Sequence, residues 1–190
     1  AGMAGARLIR VNLNDANLTG VDLRNASFVE PSLVGATLSQ ADLTGAQLPG
    51  IDLRGANLAN SIFANGIFSD GNFEGADMSS LNGAGAVFDR ASMARASLRS
   101  ADLTGASLSN ADLTGANLNS AVLDNANLSG AQLVGANVDF SRMGNTVMVR
   151  ADLTDALGRP ATFAAVNLTS ANLCGTGWAT YDPRNLQLNP

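Results

Sequence analysis

Cys174 is the only thiol in the chain, and the sequence contains neither histidine nor lysine. A serine or cysteine nucleophile is activated by an adjacent base, and the side chain that most often supplies it is missing throughout. The carboxylates are the remaining candidates. A chain coiled so that Asp22 stacks on Asp42 could let the two share a proton or bind a cation. The alternative is a solvated ladder of polar side chains, and Asp or Asn at such positions can also bond nearby backbone groups at corners. Asn17, Asn25, Asn127 and Asn167 open N-x-S/T triplets, which a repeated sequence generates by itself. The GxG at Gly83–Gly85 lacks the strand and helix that make a phosphate cradle. Nothing here assembles a catalytic centre, so we expect no enzyme, no cofactor and no metal.

What these residues can do depends on the element that places them, and that element has a period of five. Ala101 to Leu118 reads ADLTG ASLSN ADLTG ANL, and the frame runs from Ala1 to Thr180 as 36 pentads without insertion or deletion. The third position is Leu in 21 pentads, Phe in six, Met in five, and Val138 and Trp178 once each, with Gly83 and Gly158 as the two breaks. Ala fills the first position in 24 pentads, and the 25 charged residues before Tyr181 avoid positions one and three. Five residues advance about 140° on a helix and would wind the leucines around it without a stripe. On a flat strand five is odd, so successive leucines would point to opposite faces. A chain that turns a corner at every pentad keeps all of them inside. Four such corners close one coil, and coils stack by backbone hydrogen bonds around a narrow shaft.

Within that frame the irregular pentads read as packing devices. Phe63, Phe68 and Phe73 follow Ser61, Gly66 and Gly71, pairing a large third residue with a small first one. Leu81 compensates Gly83 in the same pentad, as a close-packed shaft requires. Leu157–Gly158–Arg159–Pro160 suggests a bulge or altered corner. Trp178 is placed to cover the end of the shaft, and the polar tail beyond it to screen the last strand edge. The division expected is 1–180 as the repeat array and 181–190 as a capping tail.

Ala, Asp or Asn, Leu or Phe, and two small or polar residues form a pattern that resembles the pentapeptide-repeat proteins, over about 180 of the 190 residues. The resemblance implies an all-β chain folded as a right-handed quadrilateral β-helix, here of about nine coils with no inserted loops. It also implies a binding role. The quinolone-resistance and toxin-immunity branch is thought to imitate duplex DNA and to bind type II topoisomerases such as DNA gyrase. The near-ideal ADLTG and ANL pentads look more like the structural or adaptor members. A repeat module of a larger secreted or effector protein is a third class, because the chain starts at Ala1 already in register.

Charge and apolar surface divide unevenly if pentads 1, 5, 9 and so on share a face. Of a net charge of −5, face three carries the largest part. It holds Asp15, Asp52, Glu74, Asp112, Asp152 and Asp155 against Arg54 and Arg95, and is the candidate acidic interaction face. The apolar side chains Ile9, Val29, Ile67, Val87, Val147 and Val149 fall on face two, the candidate surface for a partner or a second copy. The acidic balance argues against direct nucleic-acid binding, and no apolar run approaches the length of a membrane span. A single cysteine leaves the redox compartment open. The N-terminus shows no cap, which is compatible with truncation, with cover by another segment, or with end-to-end association.

Overall fold

The computed structural model describes residues 2–180 and 186–187. Pairing is parallel and steps by four pentads along the chain. Two short strands, β1 (Arg7–Ile9) and β2 (Ser27–Val29), pair with Leu8 opposite Phe28. Near the other end β3 (Val166–Asn167) pairs with β4 (Leu186–Gln187) in the same sense. Between them each pentad contributes a single bridge from its second residue. One column runs Asn12, Ser32, Asp52, Asn72, Ser92, Asp112, Gln132, Asp152 and Asn172 without a slip of register, and three more run beside it. The result is a four-sided parallel solenoid. A 3-10 turn at Gly177–Thr180 is the one helical element among the described residues.

The backbone donors account for the pentad. In the pentad that begins at Ala101, Leu103 donates to the Val122 carbonyl of the next coil at 2.7 Å and Asp102 to the Leu81 carbonyl of the previous one at 2.8 Å. Gly105 donates to Asp124 at 2.9 Å, and Ala106 closes the corner on the Leu103 carbonyl at 3.0 Å. That leaves the N–H of the fourth residue, which the second side chain takes: Thr104 N–H donates to Asp102 Oδ1 at 3.0 Å. The Thr104 hydroxyl donates to the same oxygen at 2.6 Å. Asp42 with Thr44, Asp152 with Thr154 and Asn167 with Thr169 repeat this pair of bonds. The D/N-x-T part of the repeat is therefore a corner lock, since a backbone N–H left unpaired in a close-packed chain is costly. Asn17 with Thr19 and Asn127 with Ser129 make the same lock, so these sequon triplets have a structural use.

Inside, the first and third positions form one continuous core from Val21 to Trp178. The four rings Phe63, Phe68, Phe73 and Phe88 cluster there, with Phe63 and Phe68 centroids 4.4 Å apart and Phe68 and Phe88 5.4 Å apart. Volume is exchanged as the sequence suggests. A Cβ on Gly66 would lie 2.5 Å from Phe68 Cε2, and one on Gly83 would lie 2.9 Å from Leu81 Cδ2. Ser61, Ser141 and Thr146 replace Ala at buried first positions and donate their hydroxyls to the Leu58, Val138 and Leu123 carbonyls. Most of the expected capping tail, 181–185 and 188–190, lies outside the described residues.

Candidate interaction faces

Position two supplies the corner lock where it is Asn or Asp, and in four other pentads the structure recruits a carboxylate or amide from the coil before. Ser32, Ser107, Arg142 and Leu157 stand at position two without an acceptor of the right length. In these pentads the fourth N–H, of Val34, Ser109, Gly144 and Arg159, donates instead to Asn14, Asp89, Asp124 and Asp139, each one coil earlier. Asp89, Asp124 and Asp139 are thus structural acceptors as well as surface charges. The signal is present in the sequence, as an acid or amide at position four one coil before a missing Asn or Asp. It becomes readable only once the coil length is known.

Face three is the column that contains Asp52, Asp112 and Asp152. Two of its six acids are ion-paired among the described residues. Arg54 reaches Asp52 at 2.7 Å, and its hydrogen bond holds that carboxyl below the usual carboxylate range. Glu74 pairs with Arg95 of the following coil. Asp112 accepts the Thr114 N–H at 2.9 Å. Asp152 is lowered chiefly by the hydrogen bond from the Thr154 hydroxyl. Asp15 and Asp155 occupy the fifth position with φ of 56° and 55°, the left-handed region that Asp tolerates. Each lays its carboxylate over the corner glycine of the next coil, Gly35 and Gly175.

On face two, Ile9 stands opposite Val29 in the β1–β2 pair, and Ile67 bridges Val87. Ile9, Val29 and Ile67 are exposed at 56%, 40% and 41%, whereas Val87, Val147 and Val149 are half-buried. Gln47, Ser107 and Asn127 interrupt the same column. Among the described residues the most exposed large apolar side chains are on face four: Phe140 at 64% and Leu157 at 60%. Phe140 carried a sequence signal, being the one phenylalanine of seven outside the third position.

The Asp22–Asp42 pair does stack, as adjacent bridge partners. Arg24 sits against both, 2.7 Å from Asp22 and 3.8 Å from Asp42, and occupies the space a cation would take. Its hydrogen bonds hold the Asp22 carboxyl at about 2. Cys174 is exposed. Among the described residues no group of three or more His, Cys, Asp or Glu is placed to hold a metal ion, and no helix is long and apolar enough to cross a membrane.

The profile of the family described as pentapeptide repeats matches in 8 copies, over 6–45, 22–60, 41–79, 67–110 and 101–139. No curated protein matches the chain. Among solved structures, the plasmid-mediated fluoroquinolone resistance protein QnrB1, in a trypsin-treated form, is 21% identical, with 95% of this chain and 88% of that one covered and a TM-score of 0.56. HetL is a pentapeptide repeat protein involved in heterocyst differentiation regulation from the cyanobacterium Nostoc sp. strain PCC 7120. It is 28% identical, over 92% of this chain and 84% of that one, with a TM-score of 0.38. A pentapeptide repeat protein from the Arabidopsis thaliana thylakoid lumen is 31% identical, over 57% of this chain and 68% of that one, with a TM-score of 0.39. With matched repeats from 6 to 139 and the pentad frame continued on either side, the chain belongs to the pentapeptide-repeat family.

Proposed function

We propose that this chain is a non-catalytic protein-binding rod, wound right-handed in about nine coils over 1–180 with 181–190 as its cap. One observation carries the binding reading: Asp52, Asp112 and Asp152 belong to a single bridge column. Three coils separate the first two and two coils the last two, so their carboxylates recur at about 14 and 10 Å along a stiff axis. A fixed row of negative charge on a rod is complementary to a surface built to hold phosphates. The partner proposed is the DNA-binding surface of a type II topoisomerase such as gyrase, with Asp15, Glu74 and Asp155 extending the contact. The fold shared with QnrB1, a fluoroquinolone resistance protein, supports trying that partner first.

The test is gyrase supercoiling across a titration of the protein, with and without a fluoroquinolone. Inhibition at micromolar levels, or protection from the drug, should weaken in an Asp112→Asn, Asp152→Asn double variant, which removes two charges and keeps both corner acceptors. Indifference of the enzyme at high excess would refute the topoisomerase reading.

A structural or adaptor rod is the second reading, and the ion pairs favour it. Arg54 and Arg95 neutralise two of the six acids on face three. Duplex DNA carries one charge per about 1.7 Å, so a rod of this length would need roughly 25, against 16 acids and 11 arginines here. The stacked pairs Ile9–Val29 and Ile67–Val87 on face two would then meet the partner, and topoisomerase activity would be untouched.

A further inference from the structure

Phe140 is 64% exposed, the most of any large apolar residue described. Its φ of 58° is the ordinary geometry of the fifth position, shared by Glu30, Gln40 and Arg90. The side chain is what stands apart, as the one large apolar residue at a fifth position. Apolar bulk placed where the fold turns every side chain outward contributes nothing to the shaft and points to use at the surface. In the next coil on the same face Leu157 is 60% exposed. The two are joined through the backbone: Phe140 N–H donates to the Arg159 carbonyl at 2.9 Å, and Arg159 N–H donates to Asp139 Oδ1 at 3.1 Å. The platform is rigid beneath them. A Cβ on Gly158 would lie 2.6 Å from both N and Cα of Asp139, and Trp178 bonds the Gly158 carbonyl from below.

The charges at this place balance. Asp139 spends one oxygen on a backbone N–H, and Arg159 is exposed with no ion pair among the described residues. A contact about a two-fold axis needs a patch that complements itself. One acid and one base beside two apolar side chains meet that requirement, whereas a strongly charged foreign surface would be repelled by one of them. We propose that Phe140 and Leu157 centre an isologous contact between two copies of this chain, side by side, with Arg159 of each facing Asp139 of the other. This surface is distinct from faces two and three, so it stands or falls separately from the binding reading above.

Analytical ultracentrifugation of the full chain across the micromolar range tests it. The expected result is a dimer that dissociates on dilution. Phe140→Asn and Leu157→Asn should each weaken it by about tenfold or more, as for a central apolar contact. Asn is a residue the repeat already uses at both positions, at Asn145 and Asn137, so neither variant threatens the fold. Phe140→Asn should melt no lower than the parent at a dilution where both are monomers, because Asn takes the left-handed conformation of this corner readily, as Asn145 does. A parent chain that stays monomeric throughout overturns the proposal, and so does a dimer that neither variant weakens.

Discussion

Trp178 stands one coil beyond Gly158 in the third-position column, and its indole N–H donates to the Gly158 carbonyl at 2.8 Å. The large ring follows the missing side chain, and Phe163 meets it edge-on at 5.2 Å. Trp178→Ala should cost about 3 kcal/mol or more through the cavity it opens, read by denaturant unfolding. Trp178→Phe keeps most of the volume and loses the bond, so about 1 kcal/mol is expected. If Trp178→Phe unfolds like the parent, the hydrogen bond is irrelevant to stability.

Asp89 serves the Ser109 N–H because Ser107 cannot. Asp89→Ala should therefore destabilise by about 1 kcal/mol, the scale of a lost side-chain cap. Ser107→Asn supplies the acceptor within the pentad, and in that background Asp89→Ala should cost much less. A double-mutant cycle on thermal unfolding gives the coupling; additive effects would show that the two acceptors do not substitute for each other.

Asp112→Asn should leave stability nearly unchanged, because the amide oxygen can still accept the Thr114 N–H. Asp112→Ala, which removes the acceptor, should cost about 1 kcal/mol. Chemical denaturation of the pair separates charge from hydrogen bonding on face three.

Leu103→Asp should abolish folding. Leu103 is fully buried, and an unpaired carboxylate in a core one side chain wide has no neighbour to answer it and disrupts both adjoining coils. Retention of the parent circular dichroism and melting temperature would contradict the packing described.

Acid should weaken the fold in a defined window. Asp22 is lowered from 3.8 to about 2, first by the Arg24 side-chain hydrogen bond. Asp52, Asp70 and Asp152 are lowered too, by Arg54, Arg90 and Thr154. A carboxyl depressed in the folded state stabilises above its unfolded pKa, and that contribution is lost as pH falls through the folded value. The melting temperature should hold above about pH 5 and decline from about pH 4 toward 2. Arg24→Gln should bring the Asp22 carboxyl up toward the ordinary carboxylate range, measured by NMR titration.

The sequence by itself determined the period, the inside and outside of every pentad, and the pairings Phe68 with Gly66 and Leu81 with Gly83. It could do so because a shaft of constant width tolerates only compensated volumes, and compensation occurs within a few residues of chain. It also placed Asp52, Asp112 and Asp152 in one column once four pentads made a coil. Only the tertiary structure decided what each carboxylate does. Whether Asp124 or Asp139 is a free charge or an acceptor for Gly144 or Arg159 depends on a residue of the next coil, Arg142 or Leu157. Whether Asp22 and Asp42 leave room for a cation depends on where one arginine folds. The exposure of Phe140 likewise followed from its corner: a fifth residue is held in the left-handed region with its side chain turned away from the shaft, however apolar that side chain is.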